Sequence, residues 1–229
     1  MKNVFPQTER SCPINQILID DERQPQIFGK TQEYIQLKML KSQLRKIYLR
    51  QQKQLSPVER KDKSAQIADL FFENFDLQKI NFLHCFLPIE KFNEIDTNFI
   101  FQKIWRDFPR IETFAPRVNF QVDNIDNLKF APETELVKNA WEIFEPARDV
   151  TIVTERIDLV LVPLLCFDSR GFRVGYGKGF YDRFLKNCCA DCLKIGLSYF
   201  EPIRKISDAQ EFDVPIDFCV TPEKIVNFK

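Results

Sequence analysis

The sequence predicts an α/β fold built on a mainly parallel sheet flanked by helices. Apolar runs of strand length alternate along the chain with segments of helical periodicity, the order that lays crossover helices on a parallel sheet. One run, DLVLVPLLCF at residues 158–167, is apolar on both faces, as a central parallel strand must be. Four of the six glycines, Gly171, Gly175, Gly177 and Gly179, fall just beyond it, at the strand end where open α/β sheets bind ligands.

Residues 1–32 are polar, carry Pro6, Pro13 and Pro25 and lack sustained periodicity, so they read as a loose extension ahead of a single domain at 33–229. From Glu33 onward, Ile35, Leu37, Leu40, Leu44, Ile47 and Tyr48 form an apolar stripe with Lys38, Lys41, Arg45 and Arg50 around it, which predicts a helix. A second helix, ending near Phe75, starts at a capping box with Ser56 at N-cap, Pro57 at N1 and Glu59 at N3. Residues 80–87 predict a buried strand. Asp96 or Thr97 then caps a helix through about Phe108, with Ile100, Phe101, Ile104 and Trp105 as its buried side. Residues 111–115 read as the next strand, 118–131 alternate as a half-exposed hairpin, and 135–139 form a further short strand. Pro163 cannot donate to a ladder, so it marks a bulge or a strand end within 158–167. A helix over about 180–188 and strands at 194–199 and 218–221 complete the set.

Composition narrows the function classes. With 229 residues and 44% hydrophobic content the chain can bury a real core. Lys+Arg 33 equals Asp+Glu 33, so no basic field exists to hold a nucleic-acid backbone without sequence preference. No run of apolar residues is long enough for a membrane helix and the N-terminus lacks a signal core, so a soluble cytoplasmic protein is expected. Seven cysteines, an odd number, fit reduced thiols. Cys189 and Cys192 make a C-x2-C, but no second pair follows and His84 is the single histidine, which argues against zinc. His84 lies in the 80–87 run and reads as a core or strand-end histidine.

The glycine cluster suggests the chemistry. Gly175, Gly177 and Gly179 let the main chain turn tightly and approach an anion, while Arg173 and Lys178 add charge-assisted contacts to phosphate oxygens. The spacing is neither Walker A, since Gly179 follows Lys178, nor Rossmann, whose third glycine would fall at Phe180. Three glycines at alternate positions in a glycine-poor chain exceed what a strand-to-helix turn needs. A phosphate-bearing ligand is expected.

Gly171-Phe172-Arg173-Val174-Gly175-Tyr176-Gly177-Lys178-Gly179-Phe180-Tyr181-Asp182 resembles the hallmark of the 5-formyltetrahydrofolate cyclo-ligase family, also called 5,10-methenyltetrahydrofolate synthetase. Further pieces stand in family order: Lys41 to Arg45 (KSQLR), Glu94-Ile95-Asp96-Thr97, Ala115-Pro116-Arg117, Glu145-Pro146 and, late in the chain, DVPID from Asp213 to Asp217. The resemblance covers about residues 37–226. One departure is Glu142, where the family usually has glycine, and it touches the local detail of the folate pocket.

The resemblance implies a three-layer architecture of the NagB/RpiA/CoA transferase-like kind. It implies a monomer that converts 5-formyltetrahydrofolate and ATP, with magnesium, to 5,10-methenyltetrahydrofolate, ADP and phosphate. Carried over residue by residue, Lys178, Arg173 and Tyr181 would be catalytic. ATP would meet Lys41, Arg45, Arg173, Val174, Gly175, Tyr176, Gly177, Lys178, Gly179, Phe180 and Tyr181. The folate would meet Leu87 and Glu94 together with Tyr176, Gly177, Lys178, Gly179 and Phe180, and Asp182 and Asp213 would hold magnesium. Phosphoryl transfer needs positioning and charge stabilisation more than a protein nucleophile, which suits a chain with one histidine.

Taken alone, Lys41 and Arg45 at i,i+4 describe an ordinary solvated helix face, and Asp182, Asp213 and Glu94 describe helix-start, turn and loop carboxylates. Two other functions fit an α/β sheet with such a loop: a sugar-phosphate isomerase or CoA-transferase-like enzyme, and a nucleotide-binding module without catalysis.

Overall fold

The computed structural model describes residues 39–119, 124–147 and 150–229. The expected extension at 1–32, the first positions of the expected helix (Ile35, Leu37 and Lys38) and residues 120–123 of the expected hairpin lie outside the described residues.

Helix α1 (Lys41–Gln54) begins within the apolar stripe, just after Leu40, which is extended (φ −82, ψ 145). A distant carboxylate sets that start: Asp208 Oδ1 accepts from the Lys41 backbone N–H at 2.8 Å. Helix α2 (Pro57–Asn74) follows with the expected capping box, Ser56 Oγ accepting from Glu59 N at 3.2 Å and Glu59 Oε2 from Ser56 N at 2.9 Å. Helix α3 (Asn98–Asp107) buries Ile100, Phe101 and Ile104 as expected, while Trp105, also expected on that side, is half-buried at its edge. Thr97 does not cap it; its hydroxyl donates to Phe86 O at 2.7 Å, and Asp96 Oδ1 instead accepts from Asn98 N at 3.1 Å.

Among the described residues the sheet has eight strands: β1 (Phe82–Cys85), β2 (Glu112–Asn119), β3 (Asn124–Lys129), β6 (Thr151–Ile152), β7 (Leu159–Pro163), β10 (Leu193–Leu197), β11 (Phe218–Val220) and β12 (Ile225–Asn227). Their spatial order is β12-β11-β10-β7-β1-β2-β3-β6. The neighbours from β11 to β2 pair in parallel, while β12, β3 and β6 pair antiparallel at the margins. The α/β reading with a mainly parallel sheet therefore holds. A ribbon of β4 (Leu136–Lys138) and β5 (Phe144–Pro146) stands apart, as does the pair β8 (Cys166–Phe167) and β9 (Arg173–Val174). The short strands β5, β6 and β12 were not predicted: two or three residues carry no periodicity, and only a partner strand defines them.

Central β7 shows why its sequence is apolar throughout. Leu159 and Leu161 join the core beneath α2 and α3, with Leu83, Phe71 and Phe101, while Val160 and Val162 join the opposite core with Phe184, Leu185 and Cys219. Phe184 and Leu185 belong to α4 (Phe180–Lys186), so helices cover both faces. The 158–167 run is not one strand. It leaves the main sheet after Pro163, which pairs with Leu197 at the end of β10, and continues as β8 in the separate hairpin. A third core of Leu44, Cys166, Val174 and Ile206 seats α1 on that hairpin. The described cysteines are all free thiols, and no described helix is long and apolar enough to cross a membrane.

Candidate active site

The carboxyl ends of β1, β7 and β10 converge with α1 and the 175–179 loop. A small recess opens there, lined by Gln52, Phe86, Glu94, Ile95, Pro163, Leu164, Tyr176 and Leu197. Tyr176 stacks on Phe92 with ring centroids 5.0 Å apart and planes 16° apart. Gln52 Nε2 donates to Phe92 O at 2.8 Å and lies 3.1 Å from the Tyr176 hydroxyl, pinning both rings. Glu94 is buried; its Oε2 accepts from Ile89 N at 2.7 Å, and burial pushes its pKa up to about 7.

Beside the recess the loop meets a group of cations. Arg45 Nε donates to Gly175 O at 2.9 Å. Lys41 Nζ reaches Asp213 Oδ2 at 2.5 Å. Arg173 is 7% exposed and donates from Nη2 to Asp182 Oδ1 at 2.8 Å and from Nη1 to Val214 O. Burial pulls its pKa down, and Asp182, Asp213 and Tyr181 oppose that shift. Lys178 stands exposed with no hydrogen bond or ion pair among the described residues, the one cation of the four left wholly for a ligand. The helix-face reading of Lys41 and Arg45 thus fails: both point into the site.

The glycines divide by physical cause. Gly177 (φ 99) and Gly179 (φ 70) occupy the left-handed region, and Gly179 is the N-cap of α4. Gly175 does not; its φ is not positive, and a Cβ built there would meet nothing within 4 Å. The expectation that all three glycines serve a tight turn is corrected for Gly175, whose missing side chain leaves open space instead.

Other predicted residues take different places. The Val174 side chain is buried in the α1 core, so only its main chain can face a ligand. Leu87 is 7% exposed and packs in the α2/α3 core, behind Phe86, which lines the recess. Phe180 is half-buried under the Arg183 guanidinium, 5.0 Å from its ring centroid. Tyr181 is half-buried and its hydroxyl is 3.2 Å from His84 Nε2. Among the described residues no three side chains of His, Cys, Asp or Glu group as a metal site. Asp182 Oδ1 also accepts from Val214 N at 3.2 Å, and Asp213 Oδ2 from Gln210 N at 2.6 Å, so each carboxylate is anchored through one oxygen. Sequence reasoning missed Gln52, Phe92 and Asp208. Gln52 had a signal, since positions 41, 45, 48 and 52 share one helical face.

The model of the 5-formyltetrahydrofolate cyclo-ligase family matches residues 37–222. The chain belongs to that family. It is 34% identical over 136 residues to the 5-formyltetrahydrofolate cyclo-ligase of Escherichia coli K12, covering 58% of this chain and 74% of the relative. The mouse 5-formyltetrahydrofolate cyclo-ligase is 28% identical over 174 residues, 71% of this chain and 84% of its own. The 5,10-methenyltetrahydrofolate synthetase structure from Aquifex aeolicus superposes with a TM-score of 0.69 at 30% identity, covering 83% of this chain and 94% of that one. A second synthetase, from Mycoplasma pneumoniae, shares the fold with a TM-score of 0.63 at 24% identity, over 80% and 99% of the two chains.

Within the cyclo-ligase family the departure at Glu142 has a structural meaning. Glu142 adopts φ 60, at the end of the turn joining β4 to β5, where Glu142 N donates to Asn139 O at 3.0 Å. A glycine, as the resemblance led us to expect, would suit such a position, and Glu142 holds it against strain.

Proposed function

We propose that the chain catalyses ATP-dependent cyclisation of 5-formyltetrahydrofolate to 5,10-methenyltetrahydrofolate with release of ADP and phosphate. The observation that supports it most is the grouping of Lys41, Arg45, Arg173 and Lys178 around an alternating glycine loop, beside a recess that holds a buried carboxylate.

An N-formyl oxygen is a poor leaving group. Its attack on the ATP γ-phosphorus, with the bond to ADP breaking, would leave the formyl oxygen phosphorylated and the formyl carbon, double-bonded to N5, electrophilic. The N10 lone pair would then form a bond to that carbon, N10 would lose its proton, and the carbon–oxygen bond would break to release phosphate. The protein's part is to hold the two substrates in line and balance developing negative charge. Lys178, unpaired among the described residues, would follow the γ-phosphoryl group, while Arg173 and Lys41 would balance the phosphates from fixed ion-pair positions. Glu94 would accept the N–H groups of the pterin edge, with Tyr176 and Phe180 as flat surfaces. Magnesium, when bound, would neutralise phosphate charge, held by the second oxygens of Asp182 and Asp213 together with phosphates and water, a donor set that suits this ion.

The test is to mix purified protein with 5-formyltetrahydrofolate and Mg-ATP and follow the near-ultraviolet absorbance of the methenyl product. An ATP-dependent rise is expected. No rise while ATP still raises thermal stability would leave a nucleotide-binding module, and no thermal response to ATP would defeat the nucleotide assignment.

A further inference from the structure

Gln52, in the last turn of α1, is 3% exposed and lines the recess. Its amide is oriented by a group that leaves no choice. Phe92 O, 2.8 Å away, is a main-chain carbonyl and can only accept, so the atom that faces it is the nitrogen, Nε2. The second Nε2 hydrogen goes to the Tyr176 hydroxyl at 3.1 Å. Both N–H groups are thereby committed, while the oxygen, Oε1, has no hydrogen-bond partner among the described residues. Among those residues every side-chain nitrogen or oxygen sealed from solvent has a partner, so Oε1 is not sealed. It is an open acceptor on a buried side chain, and the opening that side chain lines is the recess.

The recess has three polar side chains, Gln52, Glu94 and Tyr176, in a lining otherwise made of phenylalanine, isoleucine, proline and leucine. Two of the three bring acceptors from different elements. Gln52 brings its amide oxygen from α1, and Glu94, in the loop after β1, brings a carboxylate that takes one main-chain N–H, from Ile89. A small recess with acceptors of two origins suits a primary amino group, which has two hydrogens to give. A folate carries one such group, at C2 of the pterin. We infer that Gln52 is a specificity-determining folate contact, its Oε1 accepting one hydrogen of the 2-amino group while Glu94 accepts the other together with the adjacent ring N–H. The inference rests on the folate reading of the recess. A ring with oxygen in place of that amino group would set acceptor against acceptor, which is how such a site excludes it.

Equilibrium binding to the full chain without ATP, followed by quenching of protein fluorescence, tests this with three ligands. They are 5-formyltetrahydrofolate, its 2-methylamino analogue, which keeps one N–H at C2, and its 2-desamino analogue, which keeps none. On the unaltered protein the 2-methylamino analogue is expected to bind about tenfold more weakly than the parent, the size of one lost hydrogen bond. Binding as tight as the parent's would overturn the inference, because one of the two acceptors would then be idle. Gln52→Met, similar in shape but without the amide oxygen, is expected to weaken the parent about tenfold more than it weakens the 2-desamino analogue. The loss common to both ligands measures the pinning of Phe92 and Tyr176. An equal loss for both would mean that Gln52 acts by holding the rings alone, and the inference would fail with the folate reading intact. Should Gln52→Met lose its fold, the 2-methylamino comparison on the unaltered protein still decides. Failure of the parent to bind the unaltered protein would instead defeat the folate reading itself, and this contact with it.

Discussion

Replacing Gly175 and Gly177 separately by alanine distinguishes a loop shaped for a ligand from one shaped only for a turn. At Gly175 the new methyl group would meet nothing within 4 Å, φ is not in the left-handed region, and the carbonyl that accepts from Arg45 is unchanged. Removing a glycine from the unfolded chain there should stabilise by about 0.4–1 kcal/mol. For a domain of this size that raises Tm by about 1–4 °C. Gly177→Ala differs: φ is 99, and the methyl group would fall 3.1 Å from the Arg45 Cζ and Nε atoms. Strain of about 1–3 kcal/mol should lower Tm by roughly 2–12 °C. Activity should fall in both. At Gly175 no described protein atom would meet the methyl group, so the proposed ligand would, and displacing a reacting group by about 1 Å costs about a hundredfold in rate. Differential scanning fluorimetry paired with kcat/KM for Mg-ATP reads both quantities. A Gly175→Ala protein that is more stable and fully active would refute the reasoning, because the open space would then belong to no substrate.

Lys178→Ala should lower kcat by about 10²–10³ while stability stays within about 0.5 kcal/mol, since the side chain is exposed and has no partner among the described residues. Arg173→Ala should instead unfold more easily by about 3–5 kcal/mol, measured in urea, because it strands Asp182 beside a buried gap. Glu94 titrates at about 7 in the fold against 4.5 when free, so the folded protein holds the proton more tightly. Its contribution to stability is complete below the unfolded value and is lost as pH rises through about 7. The pterin-binding carboxylate forms over the same range, so KM for 5-formyltetrahydrofolate should rise as pH falls below about 7, and Glu94→Gln should flatten that profile. Glu142→Gly should relieve about 0.5–1 kcal/mol of left-handed strain and raise Tm by about 1–4 °C in a thermal melt.

Legibility followed the range of the interactions. The α2 capping box, the buried side of α3 and the two apolar faces of β7 were read correctly because local spacing and burial decide them. The start of α1 was not, since Asp208, far along the chain, supplies the group that holds Lys41 N–H. Among site residues, Arg173, Lys178 and the positive-φ glycines stand in one local motif and were legible. Gln52 and Phe92 were not, because their role exists only once α1 lies across the loop that bears Tyr176.

By itself the sequence determined the class of fold, the strand end that bears the site and the glycine-and-cation motif, all of which depend on periodicity and near-neighbour spacing. The tertiary structure decided which of the four cations pair with protein groups and which has no partner among the described residues, and that Gly175, unlike Gly177 and Gly179, needs no left-handed backbone. The pairings depend on groups remote in sequence, Lys41 with Asp213 and Arg45 with the Gly175 carbonyl, whose charges and dipoles act only over the few ångströms that folding brings them within.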